Sequence, residues 1–483
     1  MSKRVLDGLQ PERVFYYFEE IAKIPRPSYQ EQAISDYLVD FAKAHHLAYQ
    51  QDDHWNVIMV REASKGYEDE EPIIIQGHMD MVCEKEADCP KDMEKEGLAL
   101  VVDGDLLSAE GTTLGGDDGI AVAYALALLE DETLRAPRLE FVCTTAEETG
   151  MDGAHHIDLS MCRGRRFLNI DSEEEGKILA SCAGGGRLGV ALPIHRKEQE
   201  GNSYTITVDG LQGGHSGNEI HKGRANADML MARMLRRLSQ EKELALLSFA
   251  GGEKDNAIPR KAVASVLSDG SAAEIAALVA DEEAKIRAIY GTADPDIAIR
   301  VTSEQDVSLR NAVTAEDTKM IIRLMLSLPN GVVRMSDHIE GLVETSLNLG
   351  ILQLKEDTLT MTYALRSSVA AAYEALRENM RFMAEGYGAE VEIHSEYPAW
   401  EYVADSPLRE KMIDIYREQT GKTLVVEAIH AGLECGIFAG KLKGLDAVSF
   451  GPDIFDIHTP KERLSISSVE RTYRFLRAIL EQK

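Results

Sequence analysis

At 483 residues, with 44% hydrophobic and 28% charged residues, the chain is too long for one ordinary core and too apolar to be disordered. A formal net charge of −30, from 52 basic and 82 acidic residues, argues against nucleic acid or an acidic membrane as partner. Residues 1–7 lack the apolar core of a signal peptide, and no run reaches the ~20 apolar residues of a membrane span. The six cysteines contain no C-x-x-C pair, so a reduced, cytoplasmic chain is expected.

Residues 11–24 and 28–45 carry helical apolar spacing, and Pro25 and Pro27 punctuate the gap between them. Short β-branched runs follow at 57–60 and 73–75. The segment 119–129 is apolar almost all round, which predicts a buried helix. Residues 139–144 and 167–170 read as buried strands. Helices interleaved with such strands predict an α/β fold, a mixed and mostly parallel sheet sandwiched by helices.

Beyond Ala183-Gly184-Gly185-Gly186 the rhythm changes. Alternating segments at 188–194, 204–208 and 358–365 lie among helical windows at 225–238, 272–289, 315–328 and 371–385. This predicts an inserted α+β lid. After Tyr397-Pro398-Ala399-Trp400 the first pattern returns, with helices at 408–419 and 434–439, strands at 424–426 and 447–450, and a final amphipathic helix from Ser468. The expected organisation is a discontinuous catalytic domain, residues 1–186 and 396–483, with a lid and dimerisation domain at 187–395.

Two stretches carry the most chemistry. Gly77-His78-Met79-Asp80 follows Ile73-Ile74-Ile75, and Glu147-Glu148 follows Phe141-Val142-Cys143-Thr144-Thr145. Both lie just past a buried strand, at the edge where open α/β sheets assemble their sites. Residues two apart on an extended segment point the same way, so Asp80 can take the far N–H of a metal-binding His78. Alone, that pair fits an ordinary strand end better. Leu114-Gly115-Gly116-Asp117-Asp118-Gly119 opens the buried helix. Its acids suit a helix cap or a metal, and would repel a phosphate. Glu147 and Glu148 diverge, so one can bind metal while the other stays over the attacking water, although an isolated Glu-Glu pair is commonly an exposed loop. Asp171 ends the strand of Asn169-Ile170, and His458 stands in Asp456-Ile457-His458-Thr459-Pro460. His45, His46, His155, His156 and His221 read as surface or packing residues, and His430 as a weak ligand candidate.

If Asp117 bridges two ions, with His78 and Asp171 on one and Glu148 and His458 on the other, each ion has three protein ligands. A shared water makes four, the open tetrahedral arrangement of catalytic zinc. Two Zn²⁺ against Asp117, Glu148, Asp171 and a hydroxide sum to zero charge, and Glu147 is left over as general base. Mn²⁺ and Co²⁺ suit the same ligands. A glycosidase using Glu147 and Glu148 fails, because adjacent residues seldom face each other across the ~5 Å that such carboxyls require.

Ile24-Pro25-Arg26-Pro27-Ser28, Gly77-His78-Met79-Asp80-Met81-Val82, Gly111-Thr112-Thr113-Leu114-Gly115, Thr145-Ala146-Glu147-Glu148-Thr149-Gly150, Asn169-Ile170-Asp171-Ser172-Glu173 and Ile457-His458-Thr459-Pro460, in this order, resemble the dinuclear-zinc aminoacylase, carboxypeptidase and dipeptidase clan. Within it the chain is similar, over essentially its whole length, to the aminoacyl-histidine (Xaa-His) dipeptidases. The resemblance implies metal ligands His78, Asp117, Glu148, Asp171 and His458, general acid/base Glu147, and Asp80 orienting His78. It also implies lid contacts to substrate: His215 in Gly213-Gly214-His215-Ser216-Gly217, Asn256 in Asp255-Asn256-Ala257-Ile258-Pro259-Arg260, Arg366 in Leu365-Arg366-Ser367-Ser368, and Gly432. The activity implied is hydrolysis of unblocked dipeptides such as β-alanyl-histidine, with lid closure and a homodimer through the lid. Two other readings compete: an N-acyl amino acid amidohydrolase with the same metals, and a non-catalytic metal-binding homologue. The spare Glu147 argues against the second.

Overall fold

The run Ile73-Ile74-Ile75 is continuously apolar because its strand, Ile73–His78, lies inside an eight-stranded sheet and is buried along its whole length. The computed structural model describes residues 4–304 and 309–483. These form two units. One runs up to Ser181 and resumes over Tyr402–Ala428 and Leu433–Lys483; the other comprises Cys182–Glu401 and the short segment Ile429–Gly432. That segment groups with the second unit, whereas the sequence reading joins it to the first.

In the first unit the strand order is Ala48–Gln51, Val57–Arg61, Leu139–Thr144, Ile73–His78, Arg166–Asn169, Asp446–Ser449, Lys177–Cys182 and Val425–Ile429. The four central strands are parallel neighbours. Ala48–Gln51 and Val57–Arg61 add antiparallel on one side, and Lys177–Cys182 on the other. In the parallel core His78 stands opposite Thr144, and Gln76 opposite Asn169. The carboxyl ends carrying His78, the Glu147 turn and Asp171 therefore leave one edge together.

The helix Gly116–Glu130 is buried from Gly116 through Leu129, as its all-round apolar sequence requires. Asp117 and Asp118 depart from helical φ/ψ at its start, so the regular turns follow them. It packs against helix Glu12–Ile21 and strand Ile73–His78. Phe15, Phe18, Leu126, Phe141, Phe450 and Phe475 belong to the same core. Helix Ile466–Glu481 closes the unit, with Ser465 Oγ accepting from Ser468 N at its start.

The second unit is built on a nine-stranded antiparallel sheet. Its order is Ala298–Glu304, Asn202–Asp209, Ala262–Ser268, Leu244–Gly251, Val343–Leu354, Thr358–Ser367, Gly184–Pro193 and Glu390–Tyr397, with Gly331–Met335 pairing to Val343–Leu354 off this path. Its helices include Ala227–Ser239, Ala272–Tyr290, Ala315–Ser327 and Ala370–Gly386. Asn226 caps the first of these through its side chain, and Ser271 with Glu274 forms a reciprocal capping box on the second. Leu188, Ile206, Leu235, Phe249, Val266 and Tyr363 lie in its core. Among the described residues no helix is long and apolar enough to cross a membrane.

Candidate metal centre

Strand Ile73–His78 delivers His78 to the sheet edge, where the side chain is buried. Its Nδ1 lies 3.2 Å from the backbone oxygen of Asp80 and 3.4 Å from Asp80 Oδ1. The ring N–H is thereby directed at Asp80, and Nε2 faces the opposite way. There Nε2 meets Asp117 Oδ1 at 3.0 Å and Asp171 Oδ1 at 3.7 Å. His458 Nε2 approaches from the other side, 3.2 Å from Asp117 Oδ2 and 3.0 Å from Glu148 Oε2. The two oxygens of Asp117 thus face two different imidazoles. Asp118 has a different setting, its Oδ2 accepting the backbone N–H of His78 at 3.2 Å.

Close donor sets form around the same point. His78 with Asp118 and Asp171, His78 with Glu147 and Glu148, and Asp117 with Glu148 and His458 each bring ligand atoms within 4.8 Å of one another. The structure thus gathers His78, Asp117, Glu147, Glu148, Asp171 and His458 inside the first unit, with Asp80 behind them.

Buried groups hold this edge in shape. Asp80 accepts from Ser28 Oγ at 2.8 Å and from the amides of Glu147 at 3.2 Å and Glu148 at 3.3 Å. One carboxylate therefore orients His78 and also seats the Glu147-Glu148 turn. Glu31 takes the Ala146 amide at 2.9 Å, and Asn56 takes that of Thr145 at 3.1 Å. Ala146 (φ 50), Asp456 (φ 53) and His458 (φ 59) hold left-handed backbone, a strain that concentrates at functional sites.

Three further supports went unread in the sequence. Glu462 accepts the amides of Leu114 and Gly115 at 2.7 and 2.9 Å on Oε2, and those of Gly116 and Asp117 at 2.8 and 3.3 Å on Oε1. The glycine-rich turn does bind an anion, and the anion is the chain's own carboxylate, some 345 residues away. Buried Arg26 donates to the carbonyls of Met79 and Asp80, each at 3.1 Å, and of Gly115 at 2.6 Å, tying the two ligand loops together. Gly115 has φ +64, and a Cβ there would lie 2.4 Å from Arg26 Nη2. Beneath the site, buried Glu434 accepts from Thr144 Oγ1 at 2.7 Å and from Gln76 Nε2 at 2.5 Å. None of the three is itself part of a hydrophobic pattern. Only Glu434 is a lone charge in an apolar stretch; Glu462 lies between Lys461 and Arg463, and Arg26 between two prolines.

The electrostatics are those of a cation site. Burial disfavours a charged His78, yet Asp117, Asp171 and Asp80 hold its proton well above the usual imidazole range. Asp117 and Glu148 push His458 up to about 11, against burial. Burial opposes ionisation of Asp117, but hydrogen bonds from His458 and His78 hold it well below the usual carboxylate range. Burial raises Asp171 to about 6, with His78 opposing. It also lifts Glu147 well above an ordinary glutamate; His78 opposes this, while Asp171, Glu434 and Glu148 reinforce it. Glu148 Oε1 is fully buried without a partner. Divalent ions held by these imidazoles and carboxylates would supply positive charge to the cluster and give Glu148 its missing contact, so the residues fit a metal.

The remaining candidates lie in the second unit. His215 Nδ1 accepts the amides of Gly217 at 3.2 Å and Asn218 at 3.1 Å, which leaves the hydrogen on Nε2. Burial and the charge of Arg366 lower its pKa, so it is a neutral donor. Asn256 is exposed and its carbonyl accepts Ser216 N at 2.8 Å. Arg366 is buried, with Nη1 donating to the Tyr397 hydroxyl at 3.0 Å. His430 sits in the segment that ends at Gly432, its Nε2 2.7 Å from Ser346 Oγ, and it belongs to none of the close donor sets among the described residues.

A family model described as peptidase family M20/M25/M40 matches residues 74–482. The cytosol non-specific dipeptidase of Escherichia coli (strain K12) is 34% identical over 488 residues, covering 99% of each chain. Among solved structures, the aminoacylhistidine dipeptidase of Vibrio alginolyticus is 34% identical with a TM-score of 0.92, over 99% of this chain and 98% of that one. Aminopeptidase PepT of Bacillus cereus, 17% identical with a TM-score of 0.56 over 98% of both chains, shares the fold.

Proposed function

The chain belongs to peptidase family M20/M25/M40 and is a hydrolase of peptide bonds; on that premise we propose that it is a cytoplasmic dipeptidase requiring two divalent metal ions and preferring Xaa-His substrates such as β-alanyl-histidine. Relatives named as a cytosol non-specific dipeptidase and an aminoacylhistidine dipeptidase, each aligned over 99% of this chain, support a dipeptide substrate, and the second supports the Xaa-His preference. One observation carries the reading: His78 and His458 address opposite oxygens of Asp117, with Glu148 and Asp171 beside them and Glu147 left over.

His78, Asp117, Glu148, Asp171 and His458 would hold the ions, zinc being the natural occupant of this N/O set. When bound, such ions acidify a water and polarise the scissile carbonyl. Glu147 is the general base: it removes the water's proton and returns it to the departing amine. Its buried, carboxylate-rich surroundings raise its proton affinity, which suits that return. Asp80 fixes the His78 tautomer and the Glu147 turn. His215, hydrogen on Nε2, is a ready donor to the developing oxyanion. Arg366 binds the terminal carboxylate in a two-pronged contact, and Asn256 and Gly432 complete the substrate contacts. A homodimer through the second unit completes the proposal.

The test is a panel of free dipeptides and N-acetyl amino acids on the zinc-loaded protein. Release of histidine from β-alanyl-histidine, with N-acetyl amino acids untouched, is the expected result. Preferred cleavage of the N-acetyl series would assign an aminoacylase instead.

A further inference from the structure

The first unit holds a cavity of about 280 Å³ that none of His78, Asp117, Glu148, Asp171 and His458 lines. It opens where helices Pro407–Thr420 and Ile466–Glu481 meet the turn that follows Asp171. Its size, at the low end for small-molecule sites, suits a molecule with one ring. Two features define what it would accept. The first is an aromatic wall: Tyr416, Phe450 and Phe475 are buried, and Tyr416 and Phe450 both stand edge-on to Phe475, at centroid distances of 5.4 and 5.7 Å. The Tyr416 hydroxyl stands over Gly176, where a Cβ would lie 3.0 Å away, and makes no hydrogen bond among the described residues. The second is charge. Lys177, Lys422, Arg471 and Arg474 line the cavity against the single carboxylate of Glu175, in a chain whose acids outnumber its bases by 82 to 52. Arg471 holds that carboxylate through both oxygens at 2.6–3.0 Å. The partners of Lys177 and Arg474, which are Glu174, Glu427 and Glu470, have side chains 43–63% exposed, and such pairs neutralise weakly. Lys422 pairs with no carboxylate among the described residues. An aromatic wall under a positive rim fits a flat ring that bears a carboxylate.

The cavity walls also run into the candidate metal centre. Glu175 lies four residues after Asp171, and His458 five residues after Asp453. These two stretches are tied together: Glu175 N donates to Asp453 Oδ1 at 2.7 Å, and Ile454 N to the Glu173 carbonyl at 3.0 Å. Gly451, which lines the cavity, packs so closely on Ser172 that a Cβ there would lie 1.8 Å from the Ser172 carbonyl oxygen. We propose that this cavity is an effector site for a single-ring aromatic carboxylate, and that its occupancy tightens metal binding by holding the Asp171 and His458 turns together. The ring packs on Tyr416, Phe450 and Phe475, while the carboxylate meets Lys422 and Arg474 and accepts from the Tyr416 hydroxyl. The coupling rests on the metal centre read above, whereas the binding site does not. Such coupling is reciprocal, so zinc tightens the effector by the same factor.

The test titrates phenylacetate into the metal-free full chain by ligand-observed NMR, with phenylacetamide as the neutral control. Saturable binding with a Kd of about 1 mM is expected, the scale of a fragment-sized ligand, with the amide about tenfold weaker. Lys422→Glu, at an exposed position, should weaken phenylacetate about tenfold, while Arg366→Lys should leave it unchanged. A second arm measures zinc affinity by competitive chelation, with and without saturating phenylacetate. It should rise about fivefold in the wild type and stay constant in Lys422→Glu. No saturable binding below ~20 mM, or binding indifferent to Lys422→Glu, overturns the site. Binding that is lost instead in Arg366→Lys places phenylacetate in the second unit and overturns it too. Binding as expected with zinc affinity unchanged overturns the coupling. A chain that takes up no zinc removes the metal reading, and the first arm still decides the site.

Discussion

The two units bury opposite kinds of unfinished business. Around His78 the first unit gathers Asp80, Asp117, Asp118, Glu147, Glu148, Asp171 and Glu434, and two carboxylate atoms there, Glu148 Oε1 and Glu434 Oε1, are unpartnered acceptors, with Arg26 Nε behind the ligand loops as an unpartnered donor. Around Arg366 the second unit gathers His215, Ser216 and His430, and the unpartnered atoms there are donors or tautomer-dependent nitrogens. One set asks for cations and the other for an anion. A net charge of −30 conceals this division, because most of the excess acid is solvated surface while the decisive charges are buried.

The largest way to break the comparison is at Glu147. Glu147→Ala should lower kcat roughly 10³-fold, the scale of a lost general base, while metal content stays at the wild-type level. Activity near wild type would return Glu147 to a merely structural acid. Arg366→Lys keeps the charge of the anion-seeking set but not its planar fork, so KM for a free dipeptide should rise by about 10² with a smaller change in kcat. A mere drop in kcat would place Arg366 elsewhere.

Glu462→Gln sharpens the acidic side. It replaces one of two acceptor oxygens for the amides of Leu114, Gly115, Gly116 and Asp117 with a donor, and should weaken metal binding about tenfold in competitive chelation. Unchanged affinity would mean that the turn holds Asp117 without it.

The smallest effect concerns an acid that does not fit the division. Asp228 in the second unit is fully buried, both its oxygens lack partners, and burial raises its carboxyl from 3.8 to about 8. The unfolded chain ionises first, so this residue costs stability progressively as pH rises from about 4 to about 8. Asp228→Asn should therefore gain roughly 5 °C in Tm over the wild type between pH 5 and pH 8. Parallel melting curves across that range would show that Asp228 has a partner in solution.

Much of the frame was legible because burial writes itself into the sequence. The helix Gly116–Glu130 reads as apolar all round, and Leu139–Thr144 coincides with its predicted strand. Strand Val343–Leu354 escaped notice for the opposite reason. Its Glu344, Thr345, Ser346 and Asn348 are buried polar residues that break any apolar rhythm, and Ser346 is occupied with His430. His78, Asp117, Glu148 and Asp171 could be nominated because each follows a buried strand or opens a buried helix, and His458 because it stands where an apolar stretch passes into a loop. The supporting roles of Glu462 and Arg26 could not be, and His430 could be offered only as a weak metal ligand, a role in which the structure does not use it. Glu462 partners a turn some 345 positions away, and His430 takes its meaning from a serine on another strand.

The most direct test of the account is metal stoichiometry, measured by elemental mass spectrometry on wild type and Asp117→Ala after zinc loading and desalting. Two ions per wild-type chain, falling to one or none in the variant, is the predicted result. A wild-type chain that retains no ion, or a variant that keeps both, would contradict it.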